Sequence, residues 1–310
     1  MGTRTYMKPN ILNVEPEEYS QTAINTLKSV ANYYEKQSDI EVHGIITRLR
    51  HKLDSDFLSK YPDLKYILSA TTGLDHIDQE LCNRLGIKII SLRGETEFLN
   101  SITATAEHTI TLMLALLRNI PTATSHVRKG HWNRMEHKGN ELKNKTLCIL
   151  GIGRLGTQVA RIASAFQMKI QCFDKHVSEE YWTTTNLYEA LTGADIVSVH
   201  LPYDSDTHHL LTVDSIMKTN PSAYIINTSR GQIIKEEDLV KCLANRHLAG
   251  VAVDVLEDEF NISKSPLVKY SSEHTNVLIT PHIGGCTYES MENTEVFIAQ
   301  KFKQLLRLQQ

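Results

Sequence analysis

Short apolar runs alternate with segments of helical periodicity along most of this chain. From Thr146 onward the runs fall at Thr146 to Leu150, Lys169 to Phe173, Ile196 to Leu201, Ala223 to Asn227, Leu248 to Asp254 and Val277 to Thr280. Strands separated by helical stretches must run parallel, so the pattern predicts a doubly wound sheet. An earlier set, near Ile11 to Val14, Gly44 to Thr47, Lys65 to Ser69 and Ile87 to Ile90, predicts a smaller α/β unit. Between the two, Ile110, Met113, Leu114 and Leu117 repeat at helical spacing. They predict a helix with one apolar stripe from about Thr103 to Asn119, a rigid crossing element stopped by Pro121. After Gly285, Met291, Ile298, Phe302 and Leu305 predict a last helix that periodicity assigns to neither domain.

The first strand of the larger set runs straight into Gly151-Ile152-Gly153-Arg154-Leu155-Gly156, and a helix follows. Strand, G-x-G-x-x-G and helix in that order make a nucleotide site. Gly151 permits the tight turn, Gly153 lets main chain approach a diphosphate, Gly156 lets helix pack on strand, and free N–H groups at the helix start attract the anion. The next strand ends at Asp174, where an acid accepts the ribose hydroxyls and repels a 2′-phosphate. NAD is therefore expected over NADP; Lys175 and His176 beside the acid are read as solvated loop residues, the alternative being that they soften that preference.

Composition narrows the remaining classes. At 310 residues two domains are expected, and 41% hydrophobic with 22% charged residues is ordinary globular usage. Thirty-three basic against 36 acidic side chains give a net charge of −3, so no overall field favours nucleic acid or an anionic membrane. Five cysteines with no C-x-x-C pair argue against a disulfide framework or zinc site and for a reducing, cytoplasmic setting. Neither an export signal nor a bilayer-spanning apolar stretch is present in the sequence, and the sequons at Asn144, Asn227 and Asn261 are taken as chance.

Three ionisable residues stand at or near predicted strand ends: Arg230, Glu259 and His282. In an open α/β sheet that edge binds ligands. Beside a nicotinamide, hydride leaving an alcohol carbon requires a base that takes the hydroxyl proton, and an imidazole suits this near neutral pH. His282 is the candidate, an adjacent carboxylate would fix its tautomer, and Arg230 can offer a donor fork to a carboxylate and carbonyl.

Gly151 to Gly156, Asn227 to Gly231, Gly250 to Val255 with Glu259, and Thr280 to Gly285 follow in the order of successive signatures of a known family, and Ala106 to Thr109 with Arg118-Asn119 resemble its crossing helix. The chain thus resembles the NAD-dependent D-2-hydroxyacid dehydrogenases. The resemblance implies two doubly wound parallel-sheet α/β domains: a Rossmann cofactor domain, 101–285, inserted in a flavodoxin-like substrate domain made of 1–100 plus 286–310. It implies cofactor contacts at Gly151, Gly153, Arg154, Leu155, Gly156, Asp174, His200, Leu201, Pro202, Thr228, Ser229, Arg230, Asp254, His282 and Gly284, with Asp254 near the nicotinamide. It implies substrate contacts at Thr72, Gly73 and Arg230, and Glu259 as the carboxylate beside His282. Arg48 resembles a position facing the substrate in some members, where a second anionic group would bind. A homodimer is implied as well, and no metal is expected.

Departures accompany the match. Phe260 stands where Pro is usual, Ser91-Leu92-Arg93-Gly94 where Asn-x-Pro-Gly is common, and Cys286, expected as a small buried filler, where Ser or Ala is usual. Glu259 rather than Gln argues against a formate dehydrogenase. Tyr61 and Lys65 match the short-chain dehydrogenase pair only by chance, since they precede the glycine turn. No appended regulatory module is expected. A corepressor-like NAD(H)-sensing interaction protein on the same fold is the non-enzymatic alternative.

Overall fold

The computed structural model describes residues 7–37, 40–176 and 180–308. Its elements in chain order are β1 Asn10–Asn13, α1 Gln21–Lys28, β2 Asn32–Tyr34, β3 Gly44–Thr47, α2 Ser55–Leu58, β4 Tyr66–Ser69, α3 Gln79–Arg84, β5 Lys88–Ser91 and α4 Thr96–Asn100. There follow α5 Ala104–Leu117, α6 Ile120–Arg128, β6 Thr146–Leu150, α7 Arg154–Ala165, β7 Lys169–Phe173, β8 Trp182–Thr184, α8 Leu187–Leu191, β9 Ile196–Val199 and α9 Val213–Ile216. The last are β10 Ala223–Asn227, α10 Glu236–Ala244, β11 Leu248–Val253, α11 Pro266–Ser271, β12 Val277–Ile279 and α12 Tyr288–Leu308. Two compact units result, one of residues 1–102 with 287–310, the other of residues 103–286.

The first unit is a five-stranded parallel sheet in the order β2-β1-β3-β4-β5, which is the flavodoxin-like order. Alternate side chains of each strand enter opposite cores. Ile11, Ile46 and Leu68 face one with Ile298, Ala299 and Phe302 of α12. Leu12, Ile45 and Ile67 face the other. Helix α12 therefore completes the first unit, although 184 residues of the second intervene. Strands β1, β3, β4 and β5 all end in buried polar residues: Asn13, Thr47, Ser69 and Ser91.

The second unit is a seven-stranded parallel sheet, β12-β11-β10-β9-β6-β7-β8, the Rossmann order extended by one strand. Along β6, Leu147 and Ile149 face the core made with α5 and α7, while Cys148 and Leu150 face the other. Two edge strands, β2 and β8, carry no apolar run in the sequence. Each is three residues long, and each has a single neighbour and no buried residue.

Helix α5 differs from its expected single stripe. Ala106, Thr109, Ile110, Leu112, Met113, Leu116 and Leu117 are all buried, leaving only Glu107 and Thr111 exposed. It packs against α7, β10 and β11 within the second unit, so it is a core helix there. Asn119, left-handed at φ 53°, ends it, and α6 begins with no buried residue at all. All five cysteines are free thiols. Four are buried, but Cys286 is exposed, which corrects the buried-filler expectation: its place after Gly284-Gly285 lies on a surface turn before α12. Among the described residues no helix is long and apolar enough to cross a membrane.

Candidate active site

The glycine turn lies where the order of the second sheet reverses, between β6 and β9. Gly151 has φ +95°, and a Cβ there would meet the His200 carbonyl and Leu201 N at 2.9 Å. At Gly156 it would lie 2.0 Å from the Gly151 oxygen, while at Gly153 it would project into open space. Two glycines are thus required for packing, and the third bares main chain to an incoming group. Helix α7 starts at Arg154 and Leu155 with Gly153 as N-cap and no side-chain cap, so its first N–H groups are left for an anion.

Asp174, at the end of β7, accepts from the main-chain N–H of Ile152 at 2.8 Å and of His176 at 3.0 Å. It therefore stiffens the glycine turn and still has lone pairs for hydroxyl donors. Across the reversal, His200 bonds Ser198 Oγ through Nε2 at 2.8 Å, while its enclosed Nδ1 has no partner among the described residues. Burial pushes the His200 ring down to about 4, so it is neutral near pH 7. Leu201 is buried and its carbonyl accepts from Ser229 Oγ; Pro202 is exposed. Open N–H donors, a glycine that bares main chain and an orphaned polar atom fit a dinucleotide.

The second cluster stands at the ends of β10, β11 and β12. His282 follows β12 in the left-handed region, φ 54°, unusual for a residue other than glycine. Its Nδ1 lies 3.0 and 2.8 Å from the two Glu259 oxygens, with both side chains partly exposed. A carboxylate can only accept, so Nδ1 carries the proton and Nε2 presents a lone pair.

Buried Asp254 holds this turn. It accepts from Thr280 Oγ1 at 2.6 Å, from Ile283 N at 2.9 Å and from Gly284 N at 2.7 Å, and its carbonyl accepts from His282 N at 2.9 Å. With the Thr280 proton committed to Asp254, His108 of α5 donates through Nε2 to Thr280 Oγ1 at 3.0 Å and sits 3.3 Å from Asp254. Sequence analysis placed His108 only within a family-like stretch; its partner 172 residues away carries no local signal. Buried Asn227, named from sequence only as part of a family-like stretch, is a second such residue. Its amide donates to Arg230 O, its side-chain oxygen accepts from Ser229 N, and its carbonyl accepts from Asp254 N.

Arg230 thus leaves the end of β10 on a turn pinned to the Asp254 backbone, with Nη1 on Ser229 O at 2.7 Å. The next residue, Gly231, approaches the chain that leads to Glu259 so closely that a Cβ would fall 2.0 Å from the Leu256 carbonyl carbon. Thr228, buried, bonds Thr109 of α5 at 2.7 Å.

In the first unit, Thr72 is exposed and Gly73 accepts from Thr71 Oγ1 at 2.8 Å, which in turn bonds Ser69 Oγ at 2.8 Å. Arg48 has internal partners: Glu295 of α12 takes Nε and Nη2, the Glu17 carbonyl takes Nη1, and the guanidinium lies over the Tyr19 ring. An acid bringing a second anion to Arg48 would have to displace Glu295.

Comparison with known proteins agrees with this geometry. Residues 110–284 match the family described as D-isomer specific 2-hydroxyacid dehydrogenase, NAD binding domain. The chain is 34% identical over 269 residues to D-3-phosphoglycerate dehydrogenase of Bacillus subtilis, covering 85% of this chain and 49% of that one. It is 33% identical over 277 residues to glyoxylate reductase of Thermofilum pendens, covering 85% and 78%. The crystal structure of D-lactate dehydrogenase from Aquifex aeolicus, complexed with NAD and lactic acid, superposes with a TM-score of 0.82 at 28% identity, covering 96% and 95%. The chain spans about half the length of its phosphoglycerate dehydrogenase relatives. It belongs to the D-isomer specific 2-hydroxyacid dehydrogenase family, and its cofactor is NAD(H).

Proposed function

We propose that this chain interconverts a D-2-hydroxy acid and the corresponding 2-oxo acid. The observation that carries this reading is the contact of His282 Nδ1 with both Glu259 oxygens, on loops after neighbouring strands of the NAD-binding unit. Bound NAD(H) accepts or supplies the hydride at C2. Glu259 fixes the Nδ1–H tautomer, so Nε2 is the atom that takes the hydroxyl proton in oxidation and returns it to the carbonyl oxygen in reduction. Arg230 grips the substrate carboxylate and polarises the carbonyl through its fork of donors. Asp254 acts on the same centre by fixing the turn that aims His282. Arg48, already paired with Glu295, is left out of the anion set.

Five free cysteines support a reducing, cytoplasmic setting. A homodimer through the second unit fits the large apolar side chains left exposed at Ile120, Val127, Trp132 and Met135.

The test follows NADH absorbance with a panel of 2-oxo acids that includes phosphorylated and sugar-derived members. The expected result is consumption with at least one acid, and His282→Ala lowers kcat by about 10² to 10⁴ while NADH binding persists. NADH binding without consumption of any acid would overturn the reading in favour of a dinucleotide-sensing interaction protein.

A further inference from the structure

A second group of ligand-type side chains, none of them assigned to this chemistry, stands where α6 ends. His126 occupies the last turn of α6, and Glu136 and His137 stand side by side on the 3-10 turn Arg134–His137. His126 Nδ1 lies 3.0 Å from His137 Nε2 and 3.5 Å from Glu136 Oε2, and one donor atom from each of the three falls within 4.8 Å of the others. Tetrahedral zinc with nitrogen ligands at about 2.0–2.1 Å spaces its donors by roughly 3.3 Å, the scale found here.

The surroundings hold these groups in place. Asn133 caps the 3-10 turn by accepting from Met135 N at 3.1 Å, and its amide donates to Glu136 Oε1, which leaves Oε2 toward His126. Such a partner behind a ligating carboxylate orients it before any ion arrives. The carbonyl of His126 accepts from His131 N at 3.1 Å, which folds the chain back over the helix end. Local charge selects the ion: Arg128, Lys129, Arg134 and Lys138 flank the group, so a hard cation held by charge alone is disfavoured, while an ion bound through imidazole nitrogen is not.

We propose that His126 Nδ1, His137 Nε2 and Glu136 Oε2 form a binding site for a zinc-class divalent transition metal, with three protein ligands and a fourth position open. The ion staples α6 to the 3-10 turn, a segment that has no buried residue of its own on either element. None of its three ligands takes part in the proposed redox chemistry.

The test titrates the untagged full chain with zinc chloride against a chromophoric chelator, and with nickel chloride while reading tryptophan fluorescence, since Trp132 lies on the loop between the ligands. The expected result is one equivalent of zinc per chain, quenching by nickel at matching stoichiometry, and at least about tenfold weaker uptake in His126→Ala and in His137→Gln. His209→Ala, at another histidine–glutamate pair, keeps wild-type uptake. Circular dichroism checks that each variant is folded. Absence of saturable uptake, or uptake that survives both ligand substitutions, would overturn the proposal.

Discussion

Both sheets reverse their strand order once, and the two reversals are finished in opposite ways. In the first unit, between β1 and β3, the loops are filled with the chain's own charges: Glu15 accepts from Thr47 Oγ1 and Arg48 N, Glu295 takes the Arg48 guanidinium, and Glu17 meets Arg50. The start of α1 is occupied too, since Ser20 caps Ala23 N and the Glu295 carboxylate accepts from Ser20 N at 2.6 Å. In the second unit, between β6 and β9, glycines replace side chains and the start of α7 keeps its donors. A reversal of strand order offers a crevice. Whether it takes an anionic ligand depends on whether side chains already occupy the helix start, as Ser20 and Glu295 do at α1 and none does at α7.

The largest effect is expected from breaking the open reversal. Gly156→Val places a side chain where even a Cβ would sit 2.0 Å from Gly151 O, so α7 must move off β6. NADH binding read by fluorescence should fall by about two orders of magnitude or more. Undiminished binding would mean that the turn does not hold the cofactor.

The closed reversal is broken by Glu295→Ala, which strips a carboxylate only 1% exposed from Arg48 and Ser20 N. Burial raises the Glu295 carboxyl, and its hydrogen bonds from Ser20 and Arg48 only partly offset this. Removing one partner of such a pair leaves the other charge unmatched, so urea denaturation should show a loss of about 3 kcal/mol with NADH affinity retained. A loss confined to NADH affinity would contradict the separation drawn between the two reversals.

The smallest effect sharpens the comparison through pH. The unfolded chain protonates His200 near pH 6.5, the folded chain only near 4, so stability present above pH 6.5 is lost as pH falls toward 4. At pH 5.5, His200→Gln should have escaped about 1 kcal/mol of the loss that wild type suffers relative to pH 7.5. Parallel pH profiles for the two proteins would show that the ring is solvated.

Sequence reading reached the central strands because parallel strands buried on both faces must be apolar throughout. The short edge strands β2 and β8 were missed because, with one neighbour and no buried residue, they need no such run, unlike the edge strands β5 and β12. That His282 and Glu259 would meet was expected from their positions near strand ends together with the family resemblance, and the two side chains are in contact. The partners of Arg48 and His108 were not legible: Glu295 lies 247 residues from one and Thr280 172 from the other, and no periodicity encodes such a meeting. Thus the open reversal announced itself through its glycines, and the closed one gave Arg48 the look of a ligand residue.

Helix α12 gives the chain an order of assembly. Ile298, Ala299 and Phe302 belong to a core whose other walls come from residues before 103, so that core stays unfinished while the whole inserted unit is made. At ribosomal rates the delay is roughly 10 to 40 s. During that interval the nascent α1 and β4 expose the face that Phe302 will later cover, and the nucleotide-binding insert, contiguous in sequence, can fold first.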